Sequence, residues 1–185
     1  IGETMDLLML AIEKAGYKAG QDVLIAMDVA ASEFYDKKSG KYVMKGECKT
    51  LSSDEMIDMY YELVKSYPIF SIEDPLSEFD EEGFSIMTKA MGSYVQIVGD
   101  DLFVTNPYIF QDFLPQKMAN SILIKPNQVG TLSETLMTID IAKNNGYTTI
   151  LSHRSGETED VSLAHLAVGT KSGQISMATN DTAEN

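Results

Sequence analysis

Short apolar runs rich in β-branched residues recur along this chain, and most are followed within two positions by a charged residue or a histidine. The runs are continuous rather than alternating, which is typical of strands buried on both faces of a parallel sheet. Parallel strands need crossover connections, usually helices, and these are right-handed. The predicted strands cover residues 23–27, 69–72, 95–98, 121–124, 148–151 and, more weakly, 174–177.

Helical patterns fill the intervals between these strands. A capping box opens the second helix at Ser52, and Pro115 should end or bend the fourth. The segment 33–50 interrupts the alternation and contains a predicted hairpin at residues 35–43. The predicted helices cover residues 5–12, 52–67, 85–91, 107–118, 132–145 and 158–171.

A polar residue stands at the carboxyl end of each of the first five predicted strands. After the first interval, which contains the hairpin, these residues are 25 to 28 positions apart, the length of one strand and one helix. In a (β/α)₈ barrel the catalytic residues come from the carboxyl ends of several strands. The sequence therefore predicts the active face of such a barrel, formed by Asp28, Glu73, Asp100, Lys125 and His153.

Three of these residues are carboxylates that should converge from successive strands: Asp28, Glu73 and Asp100. Three converging carboxylates repel one another strongly unless a cation lies among them. Hard oxygen ligands with open positions suit Mg²⁺, which keeps waters and takes substrate oxygens, so we predict a magnesium site. Alternatively, Asp28 or Asp100 could cap a helix or accept hydrogen bonds from loop amides.

Lys125 directly follows a predicted strand. Pro126 favours an extended conformation at Lys125, which should place this lysine at the mouth of the barrel. Bound cations favour the neutral form of a neighbouring lysine, which can then act as a base. Lys125 could also form a salt bridge with one of the three carboxylates, and the two interpretations are compatible.

The segment 152–160 joins a strand to a helix. Arg154 offers a planar fork for a phosphate or carboxylate, and Ser155 with the following helix N-terminus adds donors for an anion. His153 could hold a leaving hydroxyl or a carboxylate. The alternative is a capped helix start with an acidic first turn. His165 lies inside a helical pattern, and we interpret it as structural.

Charge and composition argue against several classes of partner and location. The formal net charge of −14 makes nucleic acid a poor partner, because an acidic surface repels phosphates. No apolar run approaches the roughly 20 residues of a membrane span, and no N-terminal stretch resembles a signal peptide. Cys48 is the only cysteine, which rules out a disulfide framework and favours a cytoplasmic location.

Five sequence motifs contain the residues discussed so far: MDVAASEF at 27–34, SIEDP at 71–75, VGDDL at 98–102, KPNQVG at 125–130 and SHRSGETED at 152–160. They resemble the motifs of enolases, in the enolase order and spacing, and the resemblance runs from about residue 3 to residue 175. It implies an α/β fold, a TIM-type (β/α) barrel with about six of the eight strands present, as a single domain over residues 1–185.

The resemblance also implies an activity. Enolases are Mg²⁺-dependent lyases, phosphopyruvate hydratases, that interconvert 2-phosphoglycerate and phosphoenolpyruvate in glycolysis and gluconeogenesis. The lysine that matches Lys125 accepts the C2 proton, and the metal stabilises the enediolate. A homodimer is implied for the full-length form. The implied metal ligands are Asp28, Glu73 and Asp100. The implied catalytic residues are Lys125 and His153, and the implied substrate-binding residues are Lys125, His153, Arg154 and Ser155.

The chain departs from the enolase pattern at both ends. It begins downstream of the capping domain and first barrel strands, which carry the general acid of the family. Ser176 stands where a substrate-binding lysine is expected, and the tail 179–185 matches nothing. We therefore expect this chain alone to be inactive.

Two other functions remain open. One is a catalytically silent enolase-like binding or structural module, which Ser176 favours. The other is a different lyase of the enolase superfamily. The segment 153–160 argues against that lyase, because its donors suit a phosphorylated substrate.

Overall fold

The computed structural model describes residues 1–154 and 160–176. Contacts within the chain group it into two compact units, one at Ile1–Ile97 and one that begins at Val98. The single domain expected over residues 1–185 stays a prediction.

The first unit combines a parallel strand pair, a small antiparallel sheet and flanking helices. Its elements are α1 (Gly2–Lys14), β1 (Ile25–Asp28), β2 (Tyr35–Asp36), β3 (Lys41–Met44), β4 (Lys49–Leu51), α2 (Ser53–Ser66), β5 (Ile69–Glu73) and α3 (Glu81–Met91). β1 and β5 pair in parallel, which confirms the first two predicted strands. β2, β3 and β4 pair antiparallel, so the predicted hairpin gains a third strand.

The sequence of α2 explains both its start and its buried face. Ser52 Oγ accepts the backbone N–H of Glu55 at 3.3 Å, and the Glu55 carboxylate accepts the N–H of Ser52 at 2.8 Å. These two bonds confirm the predicted capping box, and the bond from the Ser52 amide holds the pKa of Glu55 below its usual range. Behind the cap, Met56, Ile57 and Tyr60 are buried.

The predicted start of the third helix, at residue 85, is wrong, because α3 begins at Glu81. The Asp80 carboxylate accepts the backbone N–H of Gly83 at 3.1 Å and caps the helix. Glu81 and Glu82 then lie in the first turn, where negative charge is favourable. These two acidic residues therefore belong to the start of the helix.

The buried Tyr42 hydroxyl joins β3 to the starts of α2 and α3. It donates to Asp80 Oδ2 at 2.7 Å and accepts the backbone N–H of Ser77 at 3.0 Å. Ser53 Oγ donates to the same Asp80 oxygen at 2.5 Å. Burial raises the pKa of Tyr42, and the hydrogen bond to Asp80 raises it further.

This raised pKa predicts a loss of stability at alkaline pH. The unfolded tyrosine ionises near pH 10, whereas folded Tyr42 keeps its proton, so the free energy of unfolding should fall as pH rises above about 10. One such group contributes a slope of at most about 1.4 kcal/mol per pH unit. In Tyr42→Phe this slope should be shallower, and stability at neutral pH should fall by about 1–3 kcal/mol, because the Ser77 amide and Asp80 each lose a partner.

Urea unfolding of the chain between neutral pH and about pH 11 measures both effects. Tyr17→Phe is the matched control, because Tyr17 is 56% exposed. An alkaline slope that is the same in Tyr42→Phe and in the unsubstituted chain would contradict this account.

The second unit contains a run of parallel strands with helical crossovers. Its elements are β6 (Gln96–Gly99), which spans the unit boundary, α4 (Pro107–Phe113), β7 (Ser121–Ile124), α5 (Pro126–Val129), α6 (Leu132–Asn144), β8 (Thr148–Ser152), α7 (Ser162–Gly169) and β9 (Gly173–Ser176). β6, β7, β8 and β9 are successive parallel neighbours. The remaining four predicted strands are thus confirmed, apart from residue 177, which lies outside the described residues.

Two helix predictions in this unit need adjustment, and one helix was missed. α4 ends at Phe113, and a 3₁₀ turn containing Pro115 follows it, so the expected effect of the proline is confirmed although the helix ends before residue 118. α5 was not predicted. α7 begins at Ser162, whereas residues 158 and 159 of the predicted helix lie outside the described part of the chain.

The core of the second unit forms around fully buried β7. Val98, Leu123 and Ile150 from three neighbouring strands pack together. Phe103 packs edge-on against Phe110 with ring centroids 4.8 Å apart. Among residues 1–154 and 160–176, no helix is long and apolar enough to cross a membrane.

Candidate functional site

Asp28 and Glu73 end the two parallel strands of the first unit and are direct register partners. Neighbouring strands lie about 4.8 Å apart, so these two carboxylates start from adjacent backbone positions. The pairing continues past the strands, because the Val29 N–H donates to the Glu73 carbonyl at 3.0 Å. Asp28 Oδ1 also accepts the backbone N–H of Ala30 at 3.2 Å. Asp28 therefore accepts a hydrogen bond from a loop amide, as the alternative interpretation expected. A carboxylate has further lone pairs, so Asp28 can bind a metal as well.

In the second unit, Asp100 directly follows β6 and Lys125 directly follows β7. The Lys125 ammonium forms an ion pair with Asp100 Oδ2, and the two side chains are only 15% and 11% exposed. The backbone of Lys125 is extended, with φ −115° and ψ 101°, as Pro126 predicted. The salt-bridge alternative for Lys125 is thus confirmed, and its partner is Asp100.

Gln128 and Thr105, to which we assigned no role from the sequence, also form hydrogen bonds around this pair. Gln128 Nε2 donates to Asp100 Oδ1 at 2.9 Å. Thr105 Oγ1 donates to Gln128 Oε1 at 2.6 Å and accepts the backbone N–H of Lys125 at 2.9 Å. Gln128 lies inside the motif at 125–130, which was a usable signal, whereas nothing in the sequence near Thr105 pointed to the site.

His153 and Arg154 follow β8, and Ser155 lies outside the described residues. His153 is half-buried and lines a pocket of about 540 Å³, whereas Arg154 is exposed. The structure therefore puts both residues at the carboxyl end of a strand, as predicted. Their contacts with a substrate stay a prediction.

Asp160 and His165 line the same pocket as His153. Asp160 Oδ1 accepts the backbone N–H of Ser162, the first residue of α7, at 2.7 Å. This contact agrees with a carboxylate at the helix start, but the acidic first turn of that alternative is wrong, because the first turn of α7 contains no acidic residue. Hydrogen bonds from Ser162 lower the pKa of Asp160, and charge on His153 and His165 acts in the same direction. His165, interpreted as structural, is exposed on α7 rather than buried.

Ser176 is the last residue of β9 and lies opposite Ser152 of β8 in the register. It is exposed and carries a hydroxyl at a position where a lysine was expected. The carboxyl end of β9 therefore offers no side-chain cation at residue 176.

Residues 2–184 match the family model described as "Enolase, C-terminal TIM barrel domain". The chain belongs to this family. Membership confirms the resemblance and the fold class, an α/β TIM-type barrel of which six parallel strands are present. The match runs to residue 184, beyond residue 175, where the resemblance was expected to stop. The chain is thus a member of the enolase superfamily, whose sites combine a lysine or histidine base with Mg²⁺.

The donors at these strand ends fit Mg²⁺. Asp28 and Glu73 provide carboxylate oxygens on neighbouring strands of the first unit, and Asp100 provides one in the second. Carboxylate oxygen is the ligand type that Mg²⁺ prefers. That all three bind one ion stays a prediction.

Proposed function

We propose that this chain supplies the proton-abstracting machinery for the reversible Mg²⁺-dependent dehydration of 2-phosphoglycerate to phosphoenolpyruvate. The observation that carries the proposal is the ion pair of Lys125 with Asp100 at the ends of β7 and β6. This ion pair supports a role for Lys125 as a base that is held beside Asp100, a predicted metal ligand. The chemistry of the family is proton abstraction next to a carboxylate, which such a base would perform.

The proposed step starts with Lys125 as a free amine. An ammonium has no lone pair, so Lys125 must give up its proton before it can accept one. Its Nζ then takes the proton from C2 of the substrate, and the electron pair of the broken C–H bond moves toward the substrate carboxylate. Loss of the C3 hydroxyl forms the double bond, and that step needs a proton from a general acid that no residue of this sequence matches.

The other predicted residues hold the substrate and the cofactor. Arg154 presents a fork to the phosphate, joined by Ser155, and His153 lies beside the reacting end. Mg²⁺ held by Asp28, Glu73 and Asp100 would offset the negative charge that develops on the substrate carboxylate. A cytoplasmic homodimer, without nucleic-acid partners, completes the proposal for the full-length form.

A Mg²⁺ titration by calorimetry tests this proposal. We expect one specific site, and we expect Asp28→Asn to weaken it by at least about 10–100-fold, because loss of even an outer-shell partner has that effect. Asp58→Asn removes the same charge from the exposed face of α2 and serves as the control. Equal affinities in Asp28→Asn and in the unsubstituted chain would contradict the assignment of Asp28.

The second candidate function is a catalytically silent enolase-like module. The observation that favours this function is that β9 ends in Ser176, an uncharged residue. A silent module has no need of a metal, so the same titration should then show no specific Mg²⁺ site. A different lyase of the superfamily would bind Mg²⁺ but would not exchange the C2 proton of 2-phosphoglycerate.

A further inference from the structure

The hydrogen bonds around Lys125 form a closed ring that starts and ends on that residue. Its backbone N–H donates to Thr105 Oγ1 at 2.9 Å, and the Thr105 hydroxyl donates to Gln128 Oε1 at 2.6 Å. Gln128 Nε2 donates to Asp100 Oδ1 at 2.9 Å, and Asp100 Oδ2 pairs with the Lys125 ammonium. The ring therefore ties the backbone of Lys125 to its own side-chain nitrogen through three other residues.

Two ends of this ring have a fixed role, because the backbone N–H of Lys125 can only donate and the Asp100 carboxylate accepts. The Thr105 hydroxyl therefore accepts from Lys125 and has one proton to donate. Its contact with Gln128 Oε1, at 2.6 Å, is shorter than its contact with the Leu123 carbonyl, at 3.4 Å. The amide oxygen of Gln128 is then the acceptor, so its NH₂ group must face Asp100. A flipped amide would put its oxygen against the carboxylate. The ring thus assigns Oδ1 of Asp100 to Gln128 and Oδ2 to Lys125.

Thr105 holds a backbone conformation that its own residue type disfavours. Its φ is +56°, Val104 before it has φ +45°, and both are β-branched. Thr105 is also fully buried, and its carbonyl accepts the Thr138 hydroxyl at 2.8 Å. Because local preference does not explain this loop, its tertiary hydrogen bonds must hold it in place.

We propose that Thr105 and Gln128 are positioning residues that orient the Asp100 carboxylate and the Lys125 ammonium for proton transfer. The inference rests on the proposed function for the role of Lys125. The hydroxyl is the essential group at residue 105. Valine has a similar shape but leaves the Lys125 N–H and Gln128 Oε1 without that partner. Thr105 orients the Gln128 amide, and Gln128 in turn orients the Asp100 carboxylate. Both residues therefore act through the hydrogen bond between Gln128 and Asp100.

The test uses the 185-residue chain with Thr105→Val, Gln128→Leu and the double variant. Thr105→Ser keeps the hydroxyl and is the conservative rescue. Asn127→Leu makes the same kind of change at the exposed neighbour of Gln128 and is the control. The first measurement, without metal, is the nitrogen–proton NMR signal of the Lys125 ammonium, which persists only when solvent exchange is slow. The second is the Mg²⁺ affinity.

We expect the Lys125 signal in the unsubstituted chain, in Thr105→Ser and in Asn127→Leu, and its loss in Thr105→Val and Gln128→Leu. Each of these two changes should weaken Mg²⁺ binding by about 10–100-fold, as other outer-shell changes do. The double variant should bind Mg²⁺ no more weakly than the weaker-binding of the two single variants, because the effects of residues in one hydrogen-bond network are not additive.

A Lys125 signal that persists in folded Thr105→Val and Gln128→Leu would overturn the inference and leave these residues a purely structural role. An additive loss of Mg²⁺ affinity in the double variant would overturn it too. If Thr105→Val does not fold, Gln128→Leu decides alone. If no chain binds Mg²⁺, the proposed function fails in its metal requirement, and the NMR signal still decides whether Thr105 and Gln128 hold the pair.

Discussion

Replacing Lys125 with arginine should abolish exchange of the C2 proton of 2-phosphoglycerate in a full-length enolase that contains this barrel. Arginine keeps a positive charge for Asp100, but it does not lose its proton in proteins, so it cannot act as a base. Loss of a positioned base typically costs about 10²–10⁴-fold in rate. Proton exchange with deuterated water, followed by NMR, measures this step without requiring loss of the hydroxyl.

Lys125→Ala should also abolish exchange and should leave substrate binding largely intact. Lys125→Ala should be less stable than Lys125→Arg, because it leaves the buried Asp100 carboxylate without its cation. Lys89→Arg, at an exposed position in the last turn of α3, is the control. Undiminished exchange in Lys125→Arg would rule out Lys125 as the base.

The 185-residue chain alone should not turn over 2-phosphoglycerate at a useful rate. No residue of the sequence matches the general acid of the family, and transfer of a proton to a leaving group contributes about 10²–10⁴-fold. Ser176 also replaces an expected cation, and loss of one preorganised electrostatic partner costs about 3–4 kcal/mol. The ultraviolet absorbance of phosphoenolpyruvate measures turnover directly.

Placing a lysine at residue 176 separates the effect of the missing cation from the effect of the missing general acid. In a full-length form that supplies the general acid, Ser176→Lys should raise kcat/KM by about 10²-fold or more, the equivalent of the lost electrostatic term. Val168→Lys adds the same charge at an 80% exposed position on α7 and should change nothing. Turnover by the unsubstituted chain near that of an intact enolase, from monodisperse protein, would contradict both parts of the argument.

The strands were predictable because their apolar runs are continuous. β7, Ser121–Ile124, is buried at every position, and its bounds agree with the prediction to the residue. The start of α3 and the whole of α5 were missed. Asp80 caps α3 through a contact to Gly83 that an acidic run does not reveal, and α5 is a single turn of four residues after a proline.

The strand-end residues of the candidate site were predictable, but their surroundings were not. Spacing alone identified Asp100 and Lys125, because parallel strands bring their carboxyl ends to one edge of a sheet. Thr105 gave no signal, because its positive φ contradicts the preference of a β-branched residue and depends on tertiary hydrogen bonds. The register pairing of Asp28 with Glu73 also required the structure, since sequence does not fix which residues lie opposite each other.

The most direct test of the central claim is a crystal structure of the chain grown with Mg²⁺, or with Mn²⁺ as an anomalous scatterer. We expect one ion with carboxylate oxygens of Asp28, Glu73 and Asp100 about 2.0–2.1 Å away for Mg²⁺. Carboxyl groups separated by more than about 10 Å could not share such an ion, given those bond lengths, and would contradict the magnesium centre on which the proposed function depends.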